Sequence, residues 1–166
     1  MRRRGVIFGL CAALIGAGLV GGSLLPAVSQ EPTTQTFRLC EKNNTGSEKF
    51  INEGKKGLSA GDWGVEVLPL FDPQSGRRVG RDVTRFTVAK RLSRRNALVI
   101  LDVTATLRGG KLTLYGTFKF SSFRDGVTVP ITGGSGRYLN AGGSVTAQPG
   151  RCDGARGTRI VFNVVR

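Results

Sequence analysis

Short β-type runs separated by turn signals occupy most of this chain, and this pattern restricts it to an all-β fold. No segment longer than a few residues shows the period of a helix. Glycine, proline and aspartate mark the turns, for example in Asp72-Pro73-Gln74-Ser75-Gly76, because these residues favour turn backbone geometry. We interpret the polar segment Asn43–Gly61 as a loop. Eight runs have strand character: Thr34–Glu41, Trp63–Phe71, Val79–Lys90, Ala97–Leu107, Lys111–Phe120, Val127–Thr132, Tyr138–Ala147 and Thr158–Val165. The sequence therefore predicts eight antiparallel strands, closed as an up-and-down β-barrel or stacked as a two-sheet sandwich.

Residues 1–29 have the pattern of a secretory signal peptide. Arg2–Arg4 form a basic region, Gly5–Leu25 is apolar or small, and Ala27-Val28-Ser29 offers small residues for cleavage near Ser29. A retained membrane anchor is the competing interpretation, because the apolar run is close to the ~20 residues that span a bilayer. We expect cleavage, which makes residues 30–166 one secreted or extracytoplasmic domain.

Cys40 and Cys152 are the cysteines of this predicted domain. In an exported chain we expect them to form a disulfide, with two free thiols as the alternative. The bond would stabilise the fold by roughly 4–5 kcal/mol in the chain-entropy model. It would join the first strand to the region before the last strand. Since those strands are neighbours in an up-and-down barrel, the bond favours the barrel over the sandwich.

The sequence has no histidine, which excludes several common chemistries. Ser-His-Asp and Cys-His catalysis and histidine-ligated zinc are all ruled out. Two cysteines cannot form a four-thiolate metal site. The segment Gly133-Gly134-Ser135-Gly136-Arg137 lacks the Lys-(Ser/Thr) pair of a phosphate-binding loop. We therefore expect neither a metal nor a cofactor.

Alternation along the strands predicts an apolar lumen. If the more apolar face of each strand points inward, the lumen contains no ionisable group, and Glu66, Arg85, Asp102, Lys119 and Arg159 lie outside. Two interpretations are open, because a barrel of eight strands is either filled by side chains or holds one small ligand. For the second, a hydrophobic small molecule, the candidate binding residues are the bulky lumenal ones: Trp63, Val65, Val67, Phe86, Val99, Leu101, Leu112, Leu114, Phe118 and Phe162.

Two clusters make the predicted domain strongly basic: Arg77-Arg78-Val79-Gly80-Arg81 and Lys90-Arg91-Leu92-Ser93-Arg94-Arg95. Without residues 1–29 the chain has 22 basic and 11 acidic residues, a net charge of +11. Such loops could attract an anionic envelope polymer or lipid headgroups, and a solvated basic surface is the simpler alternative. Aromatic residues are not interleaved with these clusters, so nucleic acid is not favoured as a partner.

Three segments resemble the allene oxide cyclase-like and dirigent-like barrels. Pro130–Gly143 is similar to their G-G-(S/T)-G-x-(Y/F)-x-x-A-x-G signature. The second segment is Gly61-Asp62-Trp63 followed by Phe71–Arg81, which is similar to the D-x-x-G-x-x-V-G hairpin, and the third is Arg108–Thr117, which is similar to the central hairpin. The segments follow the order of the family. One departure is Ala141-Gly142-Gly143, where dirigent sequences often have Ala-Arg-Gly. The family's lumenal glutamate and paired aspartates also find no match.

The resemblance implies an eight-stranded antiparallel barrel with a central cavity, often trimeric in the plant relatives. It implies cyclisation of an allene oxide, steered radical coupling or, in similar bacterial barrels, an intramolecular cycloaddition. We expect a barrel that binds a hydrophobic small molecule and acts, if it is an enzyme, as an isomerase or cyclase by confinement. A non-catalytic carrier, a homo-oligomer and a basic envelope-binding module are the further expectations.

Overall fold

The computed structural model describes residues 31–54 and 57–166, and the segment interpreted as a signal peptide lies outside them. The described part has nine strand segments, β1 to β9, and a short 3₁₀ helix, Phe120–Arg124, between β6 and β7. None of its helices is long and apolar enough to cross a membrane. The strands are β1 Thr34–Lys42, β2 Ser47–Ile51, β3 Trp63–Phe71, β4 Arg78–Ser93, β5 Asn96–Leu107, β6 Gly110–Lys119, β7 Val127–Gly136, β8 Gly142–Cys152 and β9 Ala155–Val165.

The strands form one closed antiparallel barrel. Each strand from β3 to β9 pairs with the next along the chain, β9 pairs with β1, and β1 pairs with β3 to complete the ring. Both β1 and β2 lie antiparallel to β3, with Cys40 opposite Phe71 and Ser47 opposite Val67. They are therefore two segments of one strand position, interrupted at residues 43–46, and the barrel has eight strands. The predicted barrel is confirmed, and the sandwich alternative is wrong.

Most strand starts agree with the sequence prediction, but β7 and β8 run to Gly136 and Cys152, past the predicted ends at Thr132 and Ala147. Two further differences concern β2 and the start of β8. The segment Ser47–Ile51, predicted as part of a loop, is β2, which pairs with β3 through its backbone while its side chains are mostly exposed. Tyr138, predicted to begin a strand, lies in the turn before β8. Strand pairing needs only backbone groups, so a short polar edge segment carries no alternation that would reveal it.

Glycines allow the chain to turn tightly at one end of the barrel. Gly136 has a φ of +62°, and a Cβ on Gly134 would lie 2.9 Å from the carbonyl oxygen of Lys111. A larger residue at either position would therefore be strained. The turn that follows buries Tyr138, which is only 5% exposed. This end of the barrel is filled by buried side chains from three strands and this turn: Leu112, Ile131, Tyr138, Ala141 and Val164.

The predicted disulfide between Cys40 and Cys152 is confirmed. Leu39 belongs to the core and Glu41 lines the interior, so Cys40 lies between them on the outer face of β1. Both cysteines are fully buried, with Cα atoms 5.5 Å apart. Because Cys152 ends β8, the bond holds the tip of the β8–β9 hairpin against the outside of β1.

Candidate functional site

The barrel encloses a cavity of about 410 Å³, so its interior is not packed solid. This volume lies within the range of small-molecule sites. Strands β5 to β8 contribute only apolar side chains to its wall: Val99, Leu101, Val103, Ala105, Leu114, Phe118, Val127, Val129, Val145 and Ala147. We call this the apolar wall.

The opposite side of the cavity carries carboxyl groups. Strands β1 to β4 contribute one acidic residue each, and hydroxyl groups come from β4 and β9. No lysine or arginine lines the cavity within the described residues. In residues 31–54 and 57–166, no three acidic, cysteine or histidine side chains are placed to hold a metal ion. We call this side the acidic wall: Glu41, Glu48, Glu66, Asp82, Thr84 and Thr158.

Asp82 is the most deeply buried member of the acidic wall, with 4% of its surface exposed. Its Oδ2 accepts a hydrogen bond of 2.9 Å from Thr84 Oγ1. Its Oδ1 is buried and accepts no hydrogen bond from an N–H or hydroxyl group of the described residues. Burial raises the pKa of Asp82, although the hydrogen bond from Thr84 partly opposes the rise. Asp82 is therefore a carboxyl group that the fold leaves only half satisfied.

Glu41 and Asp82 perturb each other inside the barrel. Burial, the charge of Asp82 and a side-chain hydrogen bond with Asp82 raise the pKa of Glu41 to about 9. Glu41 is therefore protonated at neutral pH. Burial also raises the pKa of Glu66, with further contributions from the charges of Glu48 and Asp82. The acidic wall thus holds more carboxyl groups than it can ionise together.

The cavity reaches the protein surface beside the 3₁₀ helix. Phe50 and Phe120 line it and are 43% and 51% exposed, so they form an aromatic rim. A second, polar hollow of about 440 Å³ adjoins it at the interruption between β1 and β2. Glu41 and Glu66 line both spaces, so the acidic wall lies where an apolar cavity meets a polar one.

Asp62 organises the loop that covers part of the cavity. It is fully buried and accepts hydrogen bonds from the backbone N–H of Glu53, at 2.9 Å, and of Ser59, at 2.7 Å. Burial alone would raise the pKa of Asp62, but these bonds and one from the Ser59 hydroxyl hold it below its usual value. The loop held in this way places Leu58 against the cavity. Asp62 has a structural role in this loop.

The structure brings six of the ten candidate binding residues together in the cavity wall: Phe86, Val99, Leu101, Leu114, Phe118 and Phe162. Leu112 packs in the filled end instead. Trp63, Val65 and Val67 lie on the outer face of β3, where the Arg85 guanidinium is 5.5 Å from the Trp63 ring.

The expectation of a lumen without ionisable groups is wrong, because Glu66 faces inward. In β3 the inward series is Gly64, Glu66 and Leu70, whereas the more apolar series from Trp63 to Val67 faces outward. Glu41 and Asp82 were also missed. Two-residue periodicity could have found both, since counting back from Phe86 reaches Asp82 and counting forward from Leu39 reaches Glu41.

Comparison with solved structures identifies barrels of the same fold. No family model matches the chain, and no curated protein matches it significantly. The structure of a pyocyanin demethylase is 22% identical with a TM-score of 0.63, over 77% of this chain and 100% of that one. The Diels-Alderase AbmU from Streptomyces koyangensis is 20% identical with a TM-score of 0.64, over 80% of this chain and 63% of AbmU. The pterocarpan synthase dirigent protein GePTS1 is 17% identical with a TM-score of 0.58, over 81% of this chain and 89% of that one.

These similarities confirm, at the level of the fold, the resemblance that the three sequence segments indicate. Proteins with this fold include a Diels-Alderase and a dirigent protein. At these identities the comparison establishes the architecture alone. This chain spans 63% of AbmU, so a part of AbmU has no counterpart in it.

Proposed function

We propose that this barrel binds an apolar small molecule in its lumen and, by holding it folded, promotes its cyclisation or stereoselective coupling. The observation that carries the proposal is the cavity of about 410 Å³ with one apolar and one acidic wall. Such a site can fix both the shape and the direction of a flexible molecule. The Diels-Alderase and the dirigent protein of the same fold support a reaction of this kind.

Confinement is the physical basis of the proposed reaction. A flexible chain that is bent into a near-attack geometry no longer has to lose that freedom in the transition state. About 7–11 kcal/mol of a barrier is available from this source. The apolar wall excludes water from the reacting part, and the acidic wall holds the polar end of the molecule.

We also propose that the protein acts outside the cytoplasm. The disulfide between Cys40 and Cys152 supports this, because such bonds persist in oxidising compartments. The signal-peptide pattern of residues 1–29 supports the same location.

Filling the cavity tests the proposed binding. Ala147→Trp places a large side chain in the apolar wall, and Val83→Trp is a matched control at a position 38% exposed on the outer face of β4. With 1-decanol as the probe, a concentration of ~100 times Kd stabilises a protein by ~2.7 kcal/mol. We expect 1-decanol to raise the melting temperature of the wild type and of Val83→Trp but not of Ala147→Trp. An equal shift in all three proteins would contradict binding in the lumen.

Turnover separates an enzyme from a carrier, which is the second candidate function. A linear polyene that can cyclise in one step is incubated with each variant, and the cyclic product and its stereochemistry are measured. We expect faster and stereoselective product formation with the wild type and Val83→Trp, and the uncatalysed rate with Ala147→Trp. Binding without acceleration would assign the protein to the carrier class.

Charge favours a further candidate, the attachment of the barrel to an anionic envelope polymer. Glu41, Glu66 and Asp82 lie inside, which leaves the outer surface more basic than the net charge suggests. Within the described residues the structure has one ion pair, between Lys42 and Asp153. Most basic side chains are thus open to an anionic partner. We expect retention on dextran sulfate beads that is lost at high salt, and no retention at low salt would contradict it.

A further inference from the structure

The acidic wall has no counter-charge from the protein. Glu41, Glu66 and Asp82 face one cavity, and neither lysine nor arginine lines it in the described part of the chain. Lys42, the nearest basic residue in sequence to Glu41, lies outside and pairs with Asp153 at 2.9 Å. Buried carboxyl groups are normally paired or hydrogen-bonded, because an isolated buried charge is strongly destabilising. The fold therefore maintains an uncompensated acidic surface inside an apolar barrel.

Asp82 shows where a ligand group would be accommodated. The Thr84 hydroxyl donates a hydrogen bond to its Oδ2, while its Oδ1 is buried and has no hydrogen-bond partner among the described residues. Leaving a buried acceptor unsatisfied is destabilising, and more so for a charged group. A donor on a bound molecule would offset this cost, since Asp82 lines the cavity.

The geometry points to a ligand that carries a cationic nitrogen set against Asp82, Glu41 and Glu66, with an apolar body lying along the apolar wall. The inference rests on the proposed function, and it names the chemical class of the molecule. A protonated amine supplies both the missing positive charge and N–H donors for Asp82. A carboxylate ligand would instead meet like charge in the same place, so fatty acids are excluded from this orientation.

Binding of such a cation releases a proton. Glu41 faces Asp82 of β4, Glu66 of β3, Thr158 of β9 and the neighbouring Glu48 of β2, and no cation faces it among the described residues. A ligand cation favours the ionised carboxyl group and lowers the pKa of Glu41 from about 9. Between pH 7 and 9 the bound state therefore holds fewer protons than the free state, and the affinity for the cation rises with pH.

Three probes of equal chain length test the inference: decylamine, 1-decanol and decanoate, each measured by calorimetry below its micelle concentration. At pH 7 we expect decylamine to bind at least tenfold more tightly than 1-decanol, and decanoate to bind most weakly. Calorimetry of decylamine in two buffers of different ionisation enthalpy should show proton release. Binding should disappear for every probe in Ala147→Trp, which separates the cavity from the basic outer surface.

Amide variants locate the preference within the acidic wall. We expect Asp82→Asn and Glu66→Gln each to reduce the preference for decylamine over 1-decanol to under threefold. Two variants are used so that a folding defect in one leaves the other as the test. Asp102→Asn is the matched control, since Asp102 is exposed on the outer face of β5, and it should retain the full preference.

The outcomes distinguish this inference from the function on which it rests. If all three probes bind the cavity equally, or if decanoate binds best, the inference is overturned and the proposed function stands. If no probe binds the wild type, the proposed function fails as well. Stabilisation by calcium chloride that Asp82→Asn removes would assign the carboxyl groups to a metal ion and overturn the inference.

Discussion

The two walls of the cavity follow opposite rules, although they belong to one barrel. Strands β5 to β8 present only apolar side chains to the interior, as expected for a hydrophobic core. Strands β1 to β4 present Glu41, Glu48, Glu66 and Asp82 to the same space, and burial raises the pKa of three of them. Burial of the apolar wall stabilises the folded state, whereas burial of the acidic wall destabilises it.

This difference separates stability from function within the fold. The acidic wall destabilises the fold and therefore indicates a functional site, because carboxyl groups with perturbed pKa values concentrate at sites that bind or transform ligands. Two contacts on the outer face of the barrel stabilise the side that carries the acidic wall. The disulfide and the Lys42–Asp153 pair both hold the β8–β9 hairpin against β1, on the acidic side. We therefore expect substitutions on the two walls to differ in sign as well as in size.

Removing the disulfide should have the largest effect on stability. Cys40 and Cys152 are 112 residues apart, and closing a loop of this size contributes roughly 4–5 kcal/mol. The double variant Cys40→Ser/Cys152→Ser should lose that amount in urea unfolding, which is a large part of the 5–15 kcal/mol of a typical domain. Treatment of the wild type with a reductant provides the control. A loss below about 1 kcal/mol would show that the acidic side needs no such support.

Truncation of the apolar wall should follow in size. Leu114→Ala removes a side chain that is 3% exposed, and we expect a loss of about 3 kcal/mol in the free energy of unfolding. The matched control is the next residue, Tyr115, which is 52% exposed on the outer face, where alanine should change stability by less than about 0.5 kcal/mol. Equal losses at both positions would contradict the assignment of the two faces.

In the acidic wall, removal of an ionisable group should increase the free energy of unfolding, and the size of the increase should depend on pH. Glu41 has a pKa of about 9 in the folded protein and 4.5 as its ordinary value, so the folded state keeps a proton that the unfolded state has lost. The stability of the wild type should therefore fall as pH rises from about 5 to 9. Glu41→Gln should remove this part of the slope in urea unfolding at several pH values. A wild-type stability that rises over this range relative to Glu41→Gln would contradict the account.

The smallest effect should come from the outer ion pair. The Asp153 side chain is 58% exposed, and exposed pairs contribute about 0.2–1 kcal/mol. Asp153→Asn should therefore cost less than about 1 kcal/mol, and less still at high salt. A cost that persists in high salt would show that the hairpin tip is held by more than screened charge.

The sequence predicted the apolar wall better than the acidic one, and the reason is physical. In β5 and β6, Leu101 and Leu114 alternate with residues that face solvent, so the more apolar face of each strand is the one that points into the lumen. In β3 they disagree, because Trp63 and Val67 cover the outer face while Glu66 points inward. Choosing the more apolar face as the interior therefore fails where the interior is polar.

Other features lay beyond sequence reasoning for different reasons. The pairing of Cys40 with Cys152 could be predicted from the count of cysteines, whereas the position of the bond on the outer face of β1 could not. The strand β2 pairs through its backbone and has no alternation to detect. The raised pKa of Glu41 depends on Asp82, a residue far away in sequence that comes close only when the barrel closes.

The most direct test of the central claim is the location of a bound ligand by methyl NMR. With decylamine and methyl-labelled protein, we expect nuclear Overhauser contacts from the alkyl chain to Leu101, Val129 and Val145, all in the cavity wall. We also expect the amine to shift the carboxyl resonances of Glu66 and Asp82. Contacts confined to outer residues such as Val83, with no change at those two carboxyl groups, would contradict binding in the lumen.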